Sequence, residues 1–452
     1  MQTFPSSGLG VRRKLPHSLC SRRNIIVLGV VQILLLEIFL FIAGRRSFIA
    51  EASSRVASTA SQFVELSFKN FDIYPGATKS RSQCPPWFCN AETDLRFWPE
   101  GISLQNIEDA KEFAAFRFQI IKGELSFEWF RGCYYRRMTF FMWSLMMLVR
   151  RYPDHVPDVD AMVFCCDDPQ IVRADYNVNV TSPPALFNYV GSDRHYDLVW
   201  PDWSFWGWPQ LRIPGWENVS TAVYLGESIR TPWEDRVPRA FWKGNVDTGR
   251  GDNAMIRKEV LACGAEFPEE IEVAGIDWDK EMNSSSTKPE NQCTHKYRMY
   301  VEGNTWSCSL KYILACGSPT IVIEPLYWDF YSRGLIPGTH YLPVDRGKDM
   351  CADIRKQIAW GSANPEEAQG IGVAALDFTR EDIGMSRIYD YMLFMLKAYA
   401  SKLTFVPQKQ KNAQKVDPEF FYAHALEEER EFMEWVEPAG EPPCSLQCSK
   451  QS

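Results

Sequence analysis

The sequence has no internal repeat, no long low-complexity tract and no complete phosphate-loop signature. The first absence argues against solenoids and propellers, whose stacked units show as self-similarity at a fixed period. The second, with 45% hydrophobic and 23% charged residues, describes a globular chain and not a disordered one. The third removes the phosphate-loop nucleotide hydrolases. Positive charge is scarce as well, the formal net charge being −8. The cations Arg12, Arg13, Lys14, Arg22 and Arg23 sit in a tail without acids, so the rest is more acidic still. Such a chain is a poor partner for a nucleic-acid backbone. A nucleotide sugar needs only local cations and is not excluded. Zinc is not indicated either, because Cys84/Cys89 and Cys444/Cys448 lack a matching second pair at zinc spacing.

What is present begins with length. A chain of 452 residues predicts two domains plus appendages. Aromatic content of 14%, with 16 Trp, fits stacked sugars or large aromatic cores. Thirteen Cys, all but Cys20 beyond residue 43, suit an oxidising compartment. Cys84 with Cys89 and Cys444 with Cys448 are close enough to pair locally, with connectivity left open. The sequons at Asn179, Asn218 and Asn283 mark candidate N-glycosylation sites. The apolar run Ile25–Ala43, interrupted by Gln32 and Glu37, is about long enough to span a bilayer. Cations ahead of it predict a cytosolic tail (1–24), an uncleaved anchor (25–43), a stem (44–90) and a lumenal bulk, a type II layout.

Periodicity then organises the chain. Ile107, Ala110, Ala114, Phe118 and Ile121 lie at helical spacing, with Gly123 as a stop. "ELSFEWF" alternates as a strand, Thr139–Arg151 reads as an apolar helix, and Val159–Cys165 as a buried strand leaving into "CDDPQ". Farther on, "RAFWKGN", "EEIEVAG" and "TIVIEP" read as strands separated by helices, one starting near Trp306. Helices are also expected over Ile354–Ile358 and Ile388–Leu403, the latter able to pack back across both domains. The result is an α/β chain with parallel sheets, binding ligands at their carboxyl edges. The domains are expected over 91–214 and 215–403, followed by a peripheral acidic tail (404–452).

Several groups could carry chemistry. Asp167 or Asp168, at the end of a buried strand, could act as a general base or simply cap the turn before Pro169. Asp158 and Asp160 precede their strand and read as a solvated turn, not a metal pair. Around the helix near Trp306, Gly303, Ser307, Ser309 and Lys311 could receive an anion such as a diphosphate; an ordinary capped helix is the alternative. Lys243, Gly244, Asn245 and Arg250 form a second loop able to clamp the same diphosphate. In "WPDWSFWGWPQ", Trp203 and Trp206 could stack on sugar, though at least one is expected to wedge between domains.

The "CDDPQ" turn, "PDWSFWGW", "FWKGN", "YVEGNTWSCSLKYILACGS" and "YWDFYSRGLIPGTHYLPV", in this order, resemble the Rumi-type protein O-glucosyltransferases and their fungal capsule-associated and plant relatives. The similarity spans roughly Ile102–Leu403. It implies a GT-B fold of two Rossmann-like domains facing a cleft. It also implies inverting, metal-independent transfer of glucose or xylose from a UDP-sugar, with no cofactor. Asp167 matches the base position, and the "FWKGN" and "EGNTWSCSLK" segments match the donor diphosphate elements. Animal members place an arginine soon after the glycine of the first segment, where this chain has Val246 and only later Arg250. They place another at the position of Ser309. With the apolar segment and the "SKQS" ending, these departures point to a plant-like branch and to the Golgi membrane, with the endoplasmic reticulum second. The acceptor is expected to be a protein or a polysaccharide. The competing expectation is a non-catalytic lumenal sugar-binding or scaffold protein that retains the fold.

Overall fold

The computed structural model describes residues 82–133, 137–177, 182–225, 231–277 and 287–448. The basic tail, the segment Ile25–Ala43 and the sequons at Asn179 and Asn283 lie outside them. Among the described residues no helix is long and apolar enough to cross a membrane.

The first sheet departs from the expected parallel pattern. Helix Leu104–Asp109 ends early, capped at its start by Ser103 and Asn106 in a reciprocal box. The residues that continued its helical spacing instead form strand β1 (Phe116–Ile121), paired antiparallel with β2 (Glu124–Trp129). Lys122 and Gly123 make the turn at φ 51° and 76°, the double positive φ that a two-residue hairpin loop requires. Cross-strand packing such as Phe118 opposite Phe127 overrides the local helical spacing. Strand β3 (Val159–Val163) runs antiparallel to β1, and β4 (Leu186–Asn188) and β5 (Leu198–Val199) follow parallel to it. A late strand, β11 (Gln414–Lys415), closes the order β11-β2-β1-β3-β4-β5.

The second sheet is wholly parallel, in the order β10-β9-β8-β6-β7. Its strands are β6 (Val237–Gly244), β7 (Ile271–Gly275), β8 (His295–Tyr300), β9 (Thr320–Ile323) and β10 (Leu342–Val344). The chain winds outward from β6 to β7 and then returns to β8 on the other side. That reversal opens a crevice at the carboxyl ends of β6 and β8, where open parallel sheets bind ligands.

Both ends of the described chain belong to the fold. Cys84, Trp87 and Phe88 of the expected stem are buried, and Trp87 stacks on Tyr391 at 5.3 Å. Tyr391 belongs to helix Met385–Lys402, which returns to the first sheet, where Tyr399 donates to the Asp160 carbonyl at 2.9 Å. The acidic tail is tied in, since Trp435 packs edge-on to Trp143. The connectivity left open by the sequence is long-range: Cys84 bonds Cys444 and Cys89 bonds Cys448, across separations of 360 and 359 residues. Burial of Cys84 beside the returning tail, not sequence proximity, selects the partner. Cys133–Cys165, Cys263–Cys351 and Cys293–Cys316 complete the disulfides among the described residues, leaving Cys166 and Cys308 free.

Asp160 is likewise no solvated turn residue. It is fully buried in β3 and accepts from Arg117 Nε at 2.5 Å, Arg117 Nη2 at 2.6 Å and Gln119 at 2.7 Å. Burial raises its pKa and the Arg117 guanidinium opposes that rise. The solvated-turn expectation describes only Asp158, which caps the hairpin by accepting from the Lys122 amide at 2.6 Å.

Candidate functional site

A cavity of about 200 Å³ opens at the crevice between β6 and β8. The sequence dictates much of its shape. β6 ends at Lys243-Gly244, and a Cβ on Gly244 would lie 2.4 Å from the Trp242 ring, so glycine is required for the chain to turn there. After β8 the chain passes through Glu302, whose buried carboxylate accepts from Arg346 at 2.5 Å, Asn253 at 3.0 Å and the amides of Leu326 and Tyr327 at 3.1 and 2.9 Å. Burial raises the Glu302 pKa against these donors. The residue fixes three loops around one point, leaving Gly303, Asn304 and Thr305 to line the cavity.

The first sheet contributes the other wall. The turn after β3 is pinned from behind by Asp197, which accepts from the amides of Gln170 and Ile171 at 2.9 Å and from Asn188 at 2.8 Å. Full burial pushes the Asp197 pKa up to about 6 despite those bonds. Asp167 is thereby held on the cavity wall. Its carboxylate Oδ1 accepts from Arg137 Nη1, and its carbonyl accepts from the Thr305 hydroxyl, joining the two halves. Oδ2 has no hydrogen-bond partner among the described residues. Asp168 points elsewhere, to an ion pair with exposed Arg250. Its pKa is raised, chiefly by burial, with Asp167 adding to the rise and Arg250 opposing it.

The cavity brings together Asp167, Trp203, Lys243, Gly244, Asn245, Gly303, Trp306, Ser307 and Ser309 of the residues expected from sequence. Three others lie elsewhere. Lys311 is fully buried, its ammonium donating to Ser204 at 2.6 Å and to the Cys308 carbonyl at 3.0 Å. It is therefore a structural cation beside the aromatic loop and not a group in the cleft. Arg250 is committed to Asp168. Trp206 is the wedge: it is buried, and its indole donates to Tyr389 at 2.9 Å. Trp208, from the same aromatic loop, lies on the cavity wall.

The anion-receiving helix is also corrected. It spans only Leu310–Leu314, and the residues before it form turns. The Ser307 amide is already taken by the Tyr300 hydroxyl at 2.9 Å, and the Ser307 and Ser309 hydroxyls bond each other at 2.9 Å. A helix dipole therefore does not explain the site. Arginines the sequence did not single out supply the charge: Arg137, Arg257 and Arg298 line the cavity with Lys243, against the carboxylate of Asp167. Burial lowers Arg257 to about 10 and Arg298 to about 9, so both are cationic at neutral pH. Arg257 was hidden because "IRKEV" reads as the solvated face of a helix, and Arg298 because it alternates within a strand. The Asn218 sequon is exposed on helix Trp216–Leu225, its amide donating to Glu434 at 2.5 Å.

The geometry is that of a carboxylate facing a cleft lined by four cations at a parallel-sheet switch point, and sequence comparison agrees with it. The chain belongs to glycosyl transferase family 90, whose profile matches residues 79–452; it is a glycosyltransferase of the Rumi type. Protein O-glucosyltransferase 1 of Rattus norvegicus is 23% identical over 357 residues, covering 75% of this chain and 86% of the rat protein. The O-glucosyltransferase rumi homolog of Aedes aegypti is 21% identical over 334 residues, covering 70% and 79%. Rumi of Drosophila pseudoobscura pseudoobscura is 23% identical over 331 residues, covering 70% and 77%. Among solved structures, the crystal structure of a GtfA/B complex aligns over 38% of each chain at 16% identity with a TM-score of 0.27, too partial a likeness to argue from.

Proposed function

We propose that this glycosyltransferase moves glucose or xylose from a UDP-sugar to a hydroxyl of a protein or polysaccharide acceptor, with inversion and without a metal. The single observation that carries this reading is the placement of Asp167 on one wall of a cavity whose other lining is cationic. Asp167 Oδ2 takes the acceptor proton while the acceptor oxygen bonds the anomeric carbon. On the opposite face the bond to the diphosphate breaks, and UDP leaves with the electron pair. Arg137 holds Oδ1 so that Oδ2 keeps its aim. Negative charge growing on the diphosphate is met by preorganised cations lining the cleft. Trp208 offers an apolar face to the sugar or acceptor, with buried Trp203 packed edge-on behind it.

Metal independence is supported by the state of the nearest carboxylate pair in sequence. Asp160 is locked to Arg117 in the core and Asp158 to a backbone amide. The protein acceptor is supported by the names of the relatives, which are protein O-glucosyltransferases. A GT-B arrangement is supported by the two sheets meeting at one cleft. Residence as a type II protein of the Golgi membrane is supported by the apolar run Ile25–Ala43 behind its cations and by the disulfides of the lumenal part.

The test is a transfer and donor-hydrolysis assay on the purified chain across several UDP-sugars, in EDTA and with Mn²⁺. Turnover of UDP-glucose or UDP-xylose in EDTA is expected. Sugar-nucleotide binding with no turnover of any donor would favour the non-catalytic reading. Activity lost in EDTA and restored by Mn²⁺ would reject metal independence.

A further inference from the structure

Arg257 is a cation buried without a contacting anion. It is 8% exposed. Its Nε donates to the Glu302 carbonyl and its Nη1 to the Asn245 carbonyl, each at 2.8 Å. Those carbonyls belong to the loops that leave β8 and β6, so one guanidinium joins both loops of the switch point. No carboxylate hydrogen-bonds it among the described residues, because Glu302 directs its own carboxylate to Arg346, Asn253 and two backbone amides. Nη2 has no hydrogen-bond partner there either. A charge held in this way is unfavourable until an opposite charge meets it.

Nη2 also has a way out. A Cβ on Gly303 would lie 3.1 Å from it and 3.3 Å from Thr248 Cγ2. Gly303, Thr248 and Arg257 all line the cavity. The missing side chain at Gly303 leaves space between Nη2 and the cavity. Lys243 also lines the cavity, but the remaining candidates for an anion contact are less well placed. Val246 and Ser309 bring no charge, Lys311 is committed to Ser204, and both Nη atoms of Arg298 are directed at Gln292.

We propose that Arg257 is a donor to the diphosphate of the nucleotide sugar, its Nη2 reaching a phosphoryl oxygen past Gly303 while its other nitrogens hold the two loops at the right separation. This rests on the UDP-sugar reading above. It adds which residue makes the contact, and it makes Gly303 a determinant of donor affinity.

Calorimetry of the full-length chain with UDP and with uridine separates the two ideas. Wild type should bind UDP much more tightly than uridine; equal affinity would defeat both the donor reading and this inference. In Arg257→Gln, UDP affinity should fall about ten- to a hundredfold, the worth of one charge-assisted hydrogen bond, with uridine affinity unchanged. Gly303→Ala keeps the Arg257 charge and crowds Nη2 where it meets the opening, so it should weaken UDP selectively as well. It carries the test if Arg257→Gln does not fold. Selective loss for UDP supports the assignment. If wild type prefers UDP but the variants bind it unchanged, or lose UDP and uridine equally, Arg257 is only a structural clamp and the donor reading stands without it.

Discussion

The guanidinium of Arg137 donates to the Asp167 carboxylate while lying 3.6 Å over the centre of the Trp203 ring. One side chain thus orients Asp167 from one side and backs the aromatic wall from the other. A planar cation suits this because it can stack and donate at once.

Removing that support should misplace Asp167 without touching the donor. Arg137→Met is expected to lower the transfer rate by up to about 10²-fold, the scale of an ångström-sized error in positioning, with UDP affinity retained. Arg137→Lys, which keeps the charge but not the fork, should recover only part of the rate. Equal rates for wild type and Arg137→Met would remove Arg137 from the positioning role.

Lys311 makes the opposite prediction. Its ammonium is fully buried against Ser204 and the Cys308 carbonyl, and Ser204 in turn bonds Asp202. Lys311→Met should destabilise the chain by roughly 1.5–3 kcal/mol, the loss of charge-assisted hydrogen bonds in a dry site. Urea unfolding measures this. A variant of wild-type stability that binds UDP poorly would restore Lys311 to the cleft.

That reversal illustrates how the sequence can be read and where it stops. The strand ends that carry Asp167 and Lys243 were legible because buried parallel strands are short apolar runs that close in polar turns. Gly303 and the serines were legible as a loop, but the helix behind them is only five residues long. Lys311 and Trp206 were misplaced because spacing gives the face of an element and not what later packs on it. The β1–β2 hairpin was missed for a related reason: Phe116–Ile121 pairs with residues beyond a two-residue turn, and that pairing outweighs the helical spacing of its apolar residues. Arg257 and Arg298 left no local signal, since a buried arginine on an amphipathic helix or strand reads like a solvated one. Cys84 and Cys89 could not reveal partners some 360 residues away.

Acid stability should carry a signature of His195. Its ring is bonded to Ser192 at 2.6 Å, and burial, helped by Arg194 and Arg173, lowers its pKa to about 4. The unfolded chain binds that proton from about pH 6.5 downward and the folded chain does not. This contribution is therefore fully present above about pH 6.5 and is lost as pH falls toward 4. Asp197 and Asp329 act in the other direction, because burial raises each to about 6 and their contribution falls as pH rises from about 4 to 6. The comparison to make is wild type against His195→Gln by thermal melting. Any advantage of wild type should shrink or reverse between pH 6.5 and 4.5. Parallel curves would show that His195 is not held neutral.

The central claim is that Asp167 is the general base and Asp168 is not. Asp167→Asn keeps the shape and removes the proton acceptor, so transfer should fall by on the order of 10²–10⁴-fold while UDP binds as in wild type. Asp168→Asn loses only an exposed ion pair to Arg250 and should reduce transfer far less. Initial rates of sugar transfer by the two variants, measured beside wild type with UDP affinity and melting temperature recorded on the same samples, test this most directly. A large loss confined to Asp167→Asn is the predicted result; near-wild-type transfer by Asp167→Asn would contradict it.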